Sequence, residues 1–244
     1  MRKNGGEMAE ILARGETHDW VIQALSREPR GRLLDAPAGT GSLAERAKEI
    51  GFSVTCCDID PSLFSVSGME VEKADLNESL PYASETFDVV TCLEGLEHLE
   101  NPFNALREFA RVLRRGGKLF LSLPNYLNIE RRLRFLITGL FSKVPSPQRY
   151  GKERFESLTM LHLLPLTYPV LKLVLEHYGF RVVAIEKDKE KKRMKWLLPL
   201  VWAIRLYCFF WPKRKREDYH LEETLSAPLI MGGNTLILVC RKEG

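Results

Sequence analysis

The sequence predicts an α/β fold built on a doubly wound, mostly parallel sheet. Three observations support this prediction. Short β-branched or apolar runs alternate with stretches of helical spacing, a glycine turn joins the first run to a helix, and Asn-Pro and Gly-Gly pairs mark helix boundaries. Because a crossover helix returns the chain to the same edge of the sheet, successive strands should be parallel and helices should cover both faces.

The individual elements follow from this alternation. Predicted strands, in chain order, are GRLLDA, FSVTCCDID, MEVEKADL, FDVVTCL, GGKLFLSLP, FRVVAIEK and NTLILVCRK. Predicted helices cover residues 7–26, 43–50, 102–114 and 167–178. The helix at 102–114 is opened by Asn101-Pro102 and closed by Gly116-Gly117, which are typical start and stop signals.

Two segments interrupt this rhythm. Residues 1–124 form the predicted core with its N-terminal helices, 166–187 add a core helix and strand, and 233–244 add the last strand. Between them, 125–165 mix arginines, aromatics and prolines and are interpreted as a cap that contacts the substrate. Residues 188–232 form a second insertion, rich in basic and apolar residues.

Composition limits the classes of protein. The chain has 244 residues, 45% of them hydrophobic, and a formal net charge of +4, which is too small to indicate a nucleic-acid binder. Its five cysteines are odd in number and form no CxxC or Cys/His metal spacing, so we interpret them as reduced core residues. The first residues contain no apolar leader-like run, and we therefore expect a cytoplasmic protein.

The stretch RLLDAPAGTGSLAERA reads as a strand, a glycine turn and a helix. Gly39 and Gly41 would let a ligand approach the backbone at a helix N-terminus, and Asp58 at the next strand end is placed to bind ribose hydroxyls. The turn alone leaves two other interpretations open, and it departs from the usual loop at one position. It satisfies G-x-G-x-x-G/A, which admits nicotinamide cofactors; its glycines could be plain turn residues; and Pro37 stands where such loops usually carry their first glycine.

Further segments decide between these interpretations. LLDAPAGTGSLAERA, CCDIDPSLF, KADLNESLPYASETFDVVTCLEGLEHLENP and LREFARVLRRGGKLFLSLPN follow one another in an order and spacing that resemble the class I S-adenosylmethionine-dependent methyltransferases. Two downstream segments, HLLPLTYPVLKLVLEHYGFRV and LIMGGNTLILVCRK, resemble more loosely the tail of a bacterial branch of that family, the type 11 and type 23 methyltransferases, with similarity to the MetW group and to ubiquinone-pathway O-methyltransferases. The resemblance implies a Rossmann-like, seven-stranded, mostly parallel sheet with helical cap insertions, and S-adenosylmethionine as the cofactor.

The resemblance also implies roles for particular residues. Asp35 would hold the methionine end of the cofactor above the loop of Gly39 and Gly41, and Leu93 would touch the same end. At the other end, the residues implied for the ribose and the adenine are Asp58, Ile59, Asp75 and the backbone of Leu76. Proline fixes φ and removes one N–H, so Pro37 need not disable the loop.

A candidate base follows the fourth strand. His98 in EGLEHLENP is expected either to accept the proton of the methyl acceptor or to cap the following turn. Glu94, Glu97 and His98 form E-x-x-E-H, which could hold a divalent cation, although we expect a site without a metal. We interpret His162 and His177 as structural.

The basic-apolar insertion admits two interpretations. Its apolar part, Trp196 to Trp211, is 16 residues long, or about 24 Å as a helix, which is too short for a bilayer core of roughly 30 Å. Basic flanks and aromatic residues favour a helix lying in the headgroup region of an anionic membrane, and ERRLRFLITGLFSK has the same character. The alternative is an ordinary apolar cap over the sheet.

These observations predict an enzyme that transfers a methyl group to an oxygen of a small-molecule, lipid-linked or glycan-precursor acceptor. No nucleic-acid partner is expected, and the enzyme would be cytoplasmic with peripheral contact at the inner membrane face. The competing hypotheses are an NAD(P)-dependent oxidoreductase and a non-catalytic partner protein that keeps the cofactor fold.

Overall fold

The computed structural model describes residues 5–143, 162 and 164–243. Its sheet has seven strands in the order β3-β2-β1-β4-β5-β7-β6. They are β1 Arg32–Asp35, β2 Ser53–Asp58, β3 Val71–Lys73, β4 Phe87–Leu93, β5 Leu113–Pro124, β6 Phe180–Lys187 and β7 Thr235–Lys242. The pairs from β3 to β5 are parallel, and β7 is antiparallel to both of its neighbours. The predicted doubly wound, mostly parallel sheet is confirmed.

Helices connect these strands. In chain order they are α1 Gly5–Leu25, α2 Ser42–Glu49, α3 Pro102–Val112, α4 Ile129–Thr138, α5 Tyr168–His177, α6 Leu198–Phe209, α7 Lys213–Asp218, α8 Leu221–Thr224 and α9 Ala227–Ile230. Short 3₁₀ helices cover Pro61–Leu63, Leu96–His98 and Lys192–Leu197. Within the described ranges, no helix combines the length and apolar character needed to cross a bilayer.

The core lies on both faces of the sheet, because neighbouring strand residues alternate between the faces. Leu33, Val89 and Phe120 pack on one face, where Val21 and Leu25 of α1 cover them. On the other face, one buried cluster joins the strands to α3 and α5; its members include Leu34, Val90, Leu121, Phe109 and Leu171. Both faces are therefore buried, as expected of a parallel sheet.

One predicted boundary is wrong. The helix that was expected to reach residue 114 ends at Val112, and β5 begins at Leu113, before Gly116-Gly117. The reason is long-range pairing, since the backbone N–H groups of Glu85 and Thr86 donate to the carbonyl oxygens of Arg111 and Val112. Tertiary hydrogen bonds therefore end the helix one turn earlier than the local glycine signal.

The insertions contribute helices beside the strand ends. Part of the first, residues 144–161 and 163, lies outside the described residues, and α4 is its described helix. The second insertion contains the 3₁₀ helix Lys192–Leu197 and helices α6 to α9. A small apolar cluster connects the two, with Ile129 of α4 against Met194, Leu197 and Val201. The division of the chain into core and insertions stays a prediction.

Candidate active site

The candidate site lies where the strand order reverses. β1, which ends at Asp35, has β2 on one side and β4 on the other; β2 ends at Asp58 and β4 ends at Leu93. In open α/β sheets, ligands bind at the carboxyl ends of strands next to such a reversal. The sheet therefore brings three predicted site residues, distant in sequence, to one edge.

Asp35 is held in a buried, polar pocket. Its side chain is 2% exposed, and the Thr91 hydroxyl donates to its Oδ1 at 2.7 Å. Its second oxygen, Oδ2, has no hydrogen-bond partner in the described part of the chain. Burial, opposed by the Thr91 hydrogen bond and aided by the nearby Asp58 carboxylate, raises the pKa of Asp35 to about 7. Such a carboxylate is suited to a cationic or hydrogen-bonding ligand group.

The two glycines of the turn have different roles. Both have positive φ, 52° at Gly39 and 83° at Gly41, a conformation that glycine adopts without strain. A Cβ added to Gly39 would meet no atom within 4 Å, whereas one added to Gly41 would lie 2.6 Å from the Phe64 ring. Gly39 therefore borders open space that a ligand can fill, and Gly41 permits close packing at the start of α2.

Pro37 is accommodated by packing. The Ala36–Pro37 peptide is cis, and a Cβ on Gly95 would lie 2.5 Å from Pro37 Cδ. The backbone N–H groups of the flanking Ala36 and Ala38 donate to the carbonyl oxygens of Thr91 and Cys57. Proline thus occupies the position of the loop that needs no donor and contacts the turn after β4.

Asp58 organises the turn as well as ending β2. Its Oδ2 accepts the backbone N–H of Gly39 at 2.8 Å, and its Oδ1 accepts that of Asp60 at 2.9 Å. A carboxylate has about four lone-pair sites, so both oxygens can still accept ligand hydroxyls. Ile59, the next residue, is 44% exposed and presents an apolar side chain beside this carboxylate.

Asp75 and Leu76 lie in the segment that follows β3, which ends at Lys73. Asp75 Oδ1 accepts the backbone and side-chain N–H groups of Asn77 at 2.8 and 2.9 Å, so it caps a turn, which is the commoner role for such a residue. Leu76 is buried, and its carbonyl accepts a hydrogen bond from Asn104. The structure does not by itself assign an adenine-binding role to either residue.

The turn after β4 is tied to β5. Glu94 has φ 51°, an uncommon conformation for a residue with a side chain. Its N–H donates to the Ser122 carbonyl oxygen at 3.1 Å, and the Ser122 hydroxyl donates to Glu94 Oε1 at 3.0 Å. Sequence reasoning missed the fully buried Ser122, although a serine inside the apolar run LFLSLP is a signal that could have found it.

The structure places His162 beside His98 and Glu97, a contact that the sequence did not predict. The His98 and His162 rings lie 4.9 Å apart, edge to face. These rings and the buried Glu97 carboxylate form a group: each of Glu97, His98 and His162 offers one ligand atom, and the three atoms lie within 4.8 Å of one another. A cation could bridge this separation. The described group thus contains His162 in place of Glu94, whose carboxylate bonds to Ser122.

Comparison with known proteins identifies the family. The methyltransferase domain model matches residues 34–121. The chain is 32% identical over 120 residues to the demethylmenaquinone methyltransferase of Renibacterium salmoninarum, covering 46% of this chain and 51%, about half, of that protein. With the ubiquinone biosynthesis O-methyltransferase of Pseudomonas entomophila, it is 30% identical over 184 residues, covering 66% of this chain and 76% of that protein.

The chain belongs to the class I S-adenosylmethionine-dependent methyltransferases. The fold agrees, since a SAM-dependent methyltransferase from Archaeoglobus fulgidus matches with a TM-score of 0.58 at 20% identity, covering 92% of this chain and 94% of that one. The predicted family and its seven-stranded Rossmann-like sheet are confirmed.

The site of this methyltransferase fits the cofactor of its family. S-adenosylmethionine carries a sulfonium and an amino group at its methionine end and hydroxyls on its ribose. Asp35 offers a buried oxygen with no partner among the described residues, and Gly39 leaves open space beside Asp58. Asp35 ends β1 opposite Cys56 of β2, two residues before Asp58, so one bound molecule can contact both carboxylates.

Proposed function

We propose that this protein transfers the methyl group of S-adenosylmethionine to an oxygen of a small-molecule or lipid-linked acceptor. The observation that carries the proposal is the buried Asp35 Oδ2, which has no partner in the described chain, at the strand edge where Gly39 leaves room for a ligand. The cofactor supplies an activated methyl group, so the protein's task is to align the acceptor and accept its proton.

The cofactor would lie across the ends of β1, β2 and β4. Asp35 holds the amino group at the methionine end, and Leu93 contacts the same end from β4. Asp58 accepts the ribose hydroxyls while its bonds to Gly39 and Asp60 keep the turn in place. Ile59 packs on the adenine, and Asp75 with the Leu76 backbone binds the adenine edge. In this arrangement the Asp35 carboxylate complements the positively charged amino group at the methionine end of the cofactor.

His98 is the proposed general base. Its 3₁₀ helix, Leu96–His98, begins three residues after β4 ends at Leu93, the residue assigned to the methionine end. Imidazole exchanges protons near neutral pH, and a base at this position would take the acceptor's hydroxyl proton as the oxygen attacks the methyl group. Glu97 and His162 lie close enough to orient the ring.

A metal-assisted reaction is the second candidate. The specific observation favouring it is the grouping of Glu97, His98 and His162, whose ligand atoms lie within 4.8 Å of one another. A cation held there would lower the energy of an acceptor oxyanion, and His98 would then be a ligand and not a base. We favour the metal-independent reaction and use the metal dependence of the rate to discriminate.

The acceptor class follows from chemistry and from the relatives. One relative described above is named a demethylmenaquinone methyltransferase and the other a ubiquinone biosynthesis O-methyltransferase. The second name indicates an oxygen acceptor, and a ring hydroxyl is one that a general base can activate. We propose an acceptor of this kind, presented by α4 and the second insertion. An oxidoreductase is disfavoured by the family, and a non-catalytic partner protein would bind cofactor without turning it over.

We also propose that the enzyme contacts an anionic membrane peripherally. α6 is apolar on nearly all sides, yet its large side chains are exposed, with Trp202 at 65%, Leu206 at 62% and Phe209 at 67%. Arg205, in the middle of α6, donates to the Leu225 carbonyl oxygen and so is bound within the protein. The adjoining α7 is KRKRED, which supplies cations for anionic headgroups.

Incubation of the purified enzyme with native extract and methyl-labelled S-adenosylmethionine, followed by mass spectrometry, tests the reaction. We expect a labelled small molecule or lipid whose methyl group is attached to oxygen. Calorimetric titration with S-adenosylhomocysteine and with NAD separates the two cofactor classes. Tight binding of NAD alone, or binding of S-adenosylhomocysteine without turnover of any acceptor, would overturn the proposal.

A further inference from the structure

A cavity of about 600 Å³ lies at the edge of the sheet that also carries the candidate active site. β5 ends at Pro124 opposite Thr235, and β6 ends at Lys187 opposite Leu236, so the ends of β5 and β6 and the start of β7 meet there. Residues that follow or precede these strand ends line the cavity; they are Glu130, Arg131, Arg134, Lys189, Lys191 and Asn234.

The charge of this cavity is positive. Four of its lining side chains are cationic, and one, Glu130, is anionic. Glu130 is shared by Arg134 and Lys191, at 3.1 and 2.6 Å, and Lys189 pairs with Glu16 of α1 at 3.1 Å. The four cationic side chains are thus opposed by two carboxylates, those of Glu130 and Glu16, which leaves a net charge of +2. Partly enclosed walls strengthen the attraction of such a cluster for an anion.

Arg131 provides the most specific feature. Its Nη1 is buried and has no hydrogen-bond partner within the described residues, and burial lowers the pKa of its guanidinium. A buried guanidinium N–H without an acceptor is costly, because it loses its hydration without replacement. Arg131 lines the cavity, so an oxyanion bound there would offer an acceptor to its guanidinium group.

Arg131 also connects the cavity to the active site. Its guanidinium lies 4.8 Å from the centre of the buried Tyr126 ring. Burial, together with the nearby carboxylates of Glu97 and Glu94 and against the effect of Arg131, raises the pKa of Tyr126 to about 12, so Tyr126 lies within electrostatic reach of the segment that carries His98. A ligand in the cavity is therefore near the place proposed for the methyl acceptor.

We propose that this cavity binds a phosphate group carried by the methyl acceptor. Two arginines, two lysines and the Asn234 amide offer more donors than the two oxygens of a carboxylate accept, whereas the three terminal oxygens and near-double charge of a phosphate monoester match them. The inference rests on the proposed function, because it identifies the cavity as part of the acceptor site. Its source is a soluble phosphate ester or a lipid headgroup.

Calorimetric titration of the full chain with inorganic phosphate, at constant ionic strength set by chloride, tests the site. We expect saturable binding that Arg131→Gln weakens about tenfold or more, the usual loss when a charge-assisted hydrogen bond is removed. Arg214→Gln removes an exposed cation of α7 outside the cavity and should change binding less than about twofold. No saturable binding by the wild-type chain, or equal loss in both variants, would overturn the proposal.

A replacement variant and a measurement of cofactor affinity serve as controls for this titration. If Arg131→Gln unfolds, Lys189→Gln replaces it; because the Lys189 side chain is 41% exposed, we expect this substitution to preserve the fold. Affinity for S-adenosylhomocysteine is measured on each variant and should stay unchanged, which separates the phosphate site from the cofactor site. Arginine-dependent phosphate binding without turnover of any acceptor would support the cavity while refuting the proposed function.

Competition identifies the source of the phosphate. Phosphatidylcholine vesicles with and without phosphatidate are sedimented with the protein in the presence of phenyl phosphate. A lipid headgroup is indicated if phenyl phosphate releases the protein from phosphatidate vesicles and Arg131→Gln weakens that binding. A soluble ester is indicated if phenyl phosphate binds with Arg131 dependence and leaves vesicle binding unchanged.

Discussion

The Thr91 hydroxyl donates to Oδ1 of Asp35 at 2.7 Å, joining the middle of β4 to the end of β1 in a site with almost no exposure. The bond steadies one carboxylate oxygen and leaves Oδ2 with no partner in the described chain. A buried carboxylate with one unsatisfied oxygen destabilises the ligand-free protein. We interpret this cost as one that cofactor binding relieves.

Asp35→Asn is expected to separate stability from function. The pKa of Asp35 is raised to about 7 from 3.8, so its ionisation opposes folding, and the wild type loses stability as pH rises from about 4 to 7. Asparagine removes the charge. We expect a free energy of unfolding about 1–3 kcal/mol higher than wild type at pH 8, and little difference at pH 5.

Urea denaturation at the two pH values measures this difference, and calorimetry at pH 8 measures cofactor affinity. S-adenosylhomocysteine should bind Asp35→Asn at least tenfold more weakly, because the carboxylate that faces its amino group is lost. A variant that is less stable than wild type at pH 8, yet binds normally, would contradict both parts of the argument.

Gly39→Val is expected to block the cofactor while largely preserving the fold. An added Cβ meets no protein atom within 4 Å, so the side chain would fill the space assigned to the ligand. The positive φ of 52° adds backbone strain of about 1–3 kcal/mol. Titration with S-adenosylhomocysteine should show no measurable binding in a protein that still unfolds cooperatively.

Pro37→Gly is the matched control in the same loop. Pro37 packs against Gly95 and makes no donor contact, so its replacement should change S-adenosylhomocysteine affinity only a few-fold. If Pro37→Gly abolishes binding and Gly39→Val retains it, the assignment of Gly39 as the working glycine of the turn fails.

His98→Gln is expected to lower kcat by about 100- to 10,000-fold and to leave S-adenosylhomocysteine affinity unchanged, as for loss of a general base. The ring centre of His162 lies 4.9 Å from that of His98. If His162 only orients His98, His162→Gln should lower kcat less than His98→Gln does. The measurement is the rate on the acceptor found by labelling, over a range of pH.

Metal dependence separates the two roles of His98. A chelator should leave the rate of a metal-independent enzyme unchanged. If the chelator abolishes turnover, Mg²⁺ restores it, and His98→Gln and His162→Gln are impaired equally, then Glu97, His98 and His162 form a cation site and the base assignment is wrong.

Trp202→Ser combined with Phe210→Ser is expected to weaken binding to anionic vesicles about tenfold or more. Both side chains are exposed, at 65% and 76%, so their loss removes membrane contacts and not core packing. Leu173→Ser on α5, where leucine is 67% exposed, is the control and should bind as wild type does. Sedimentation with vesicles at low salt is the measurement; absence of wild-type binding there would refute membrane contact.

Much of the fold could be predicted because its signals are local. The strand FRVVAIEK coincides with β6, Phe180–Lys187, and the signal Asn101-Pro102 coincides with the start of α3 at Pro102. The end of α3 could not be predicted, because carbonyl groups near its end accept hydrogen bonds from Glu85 and Thr86, far away in sequence. A local sequence signal fails to predict a helix end where backbone groups distant in sequence bond to the last carbonyl oxygens of the helix.

The site residues divide in the same way. The positions of Gly39, Asp35 and Asp58 at a turn and at two strand ends could be predicted because local sequence signals mark them, whereas their cofactor-binding roles stay predictions. Two contacts could not be predicted from sequence spacing. His162 contacts His98 although the two are far apart in sequence, and Ser122 bonds to Glu94 although the whole of α3 separates them.

The sequence by itself determined the alternating elements, the glycine turn and the family, because hydrophobic period and turn chemistry act over a few residues. The tertiary structure decided which polar groups share a pocket. Sheet order sets Asp35 beside Thr91, and the meeting of β5, β6 and β7 gathers the cations around Arg131. Charge and burial depend on neighbours in space, and those neighbours exist only once the sheet has formed.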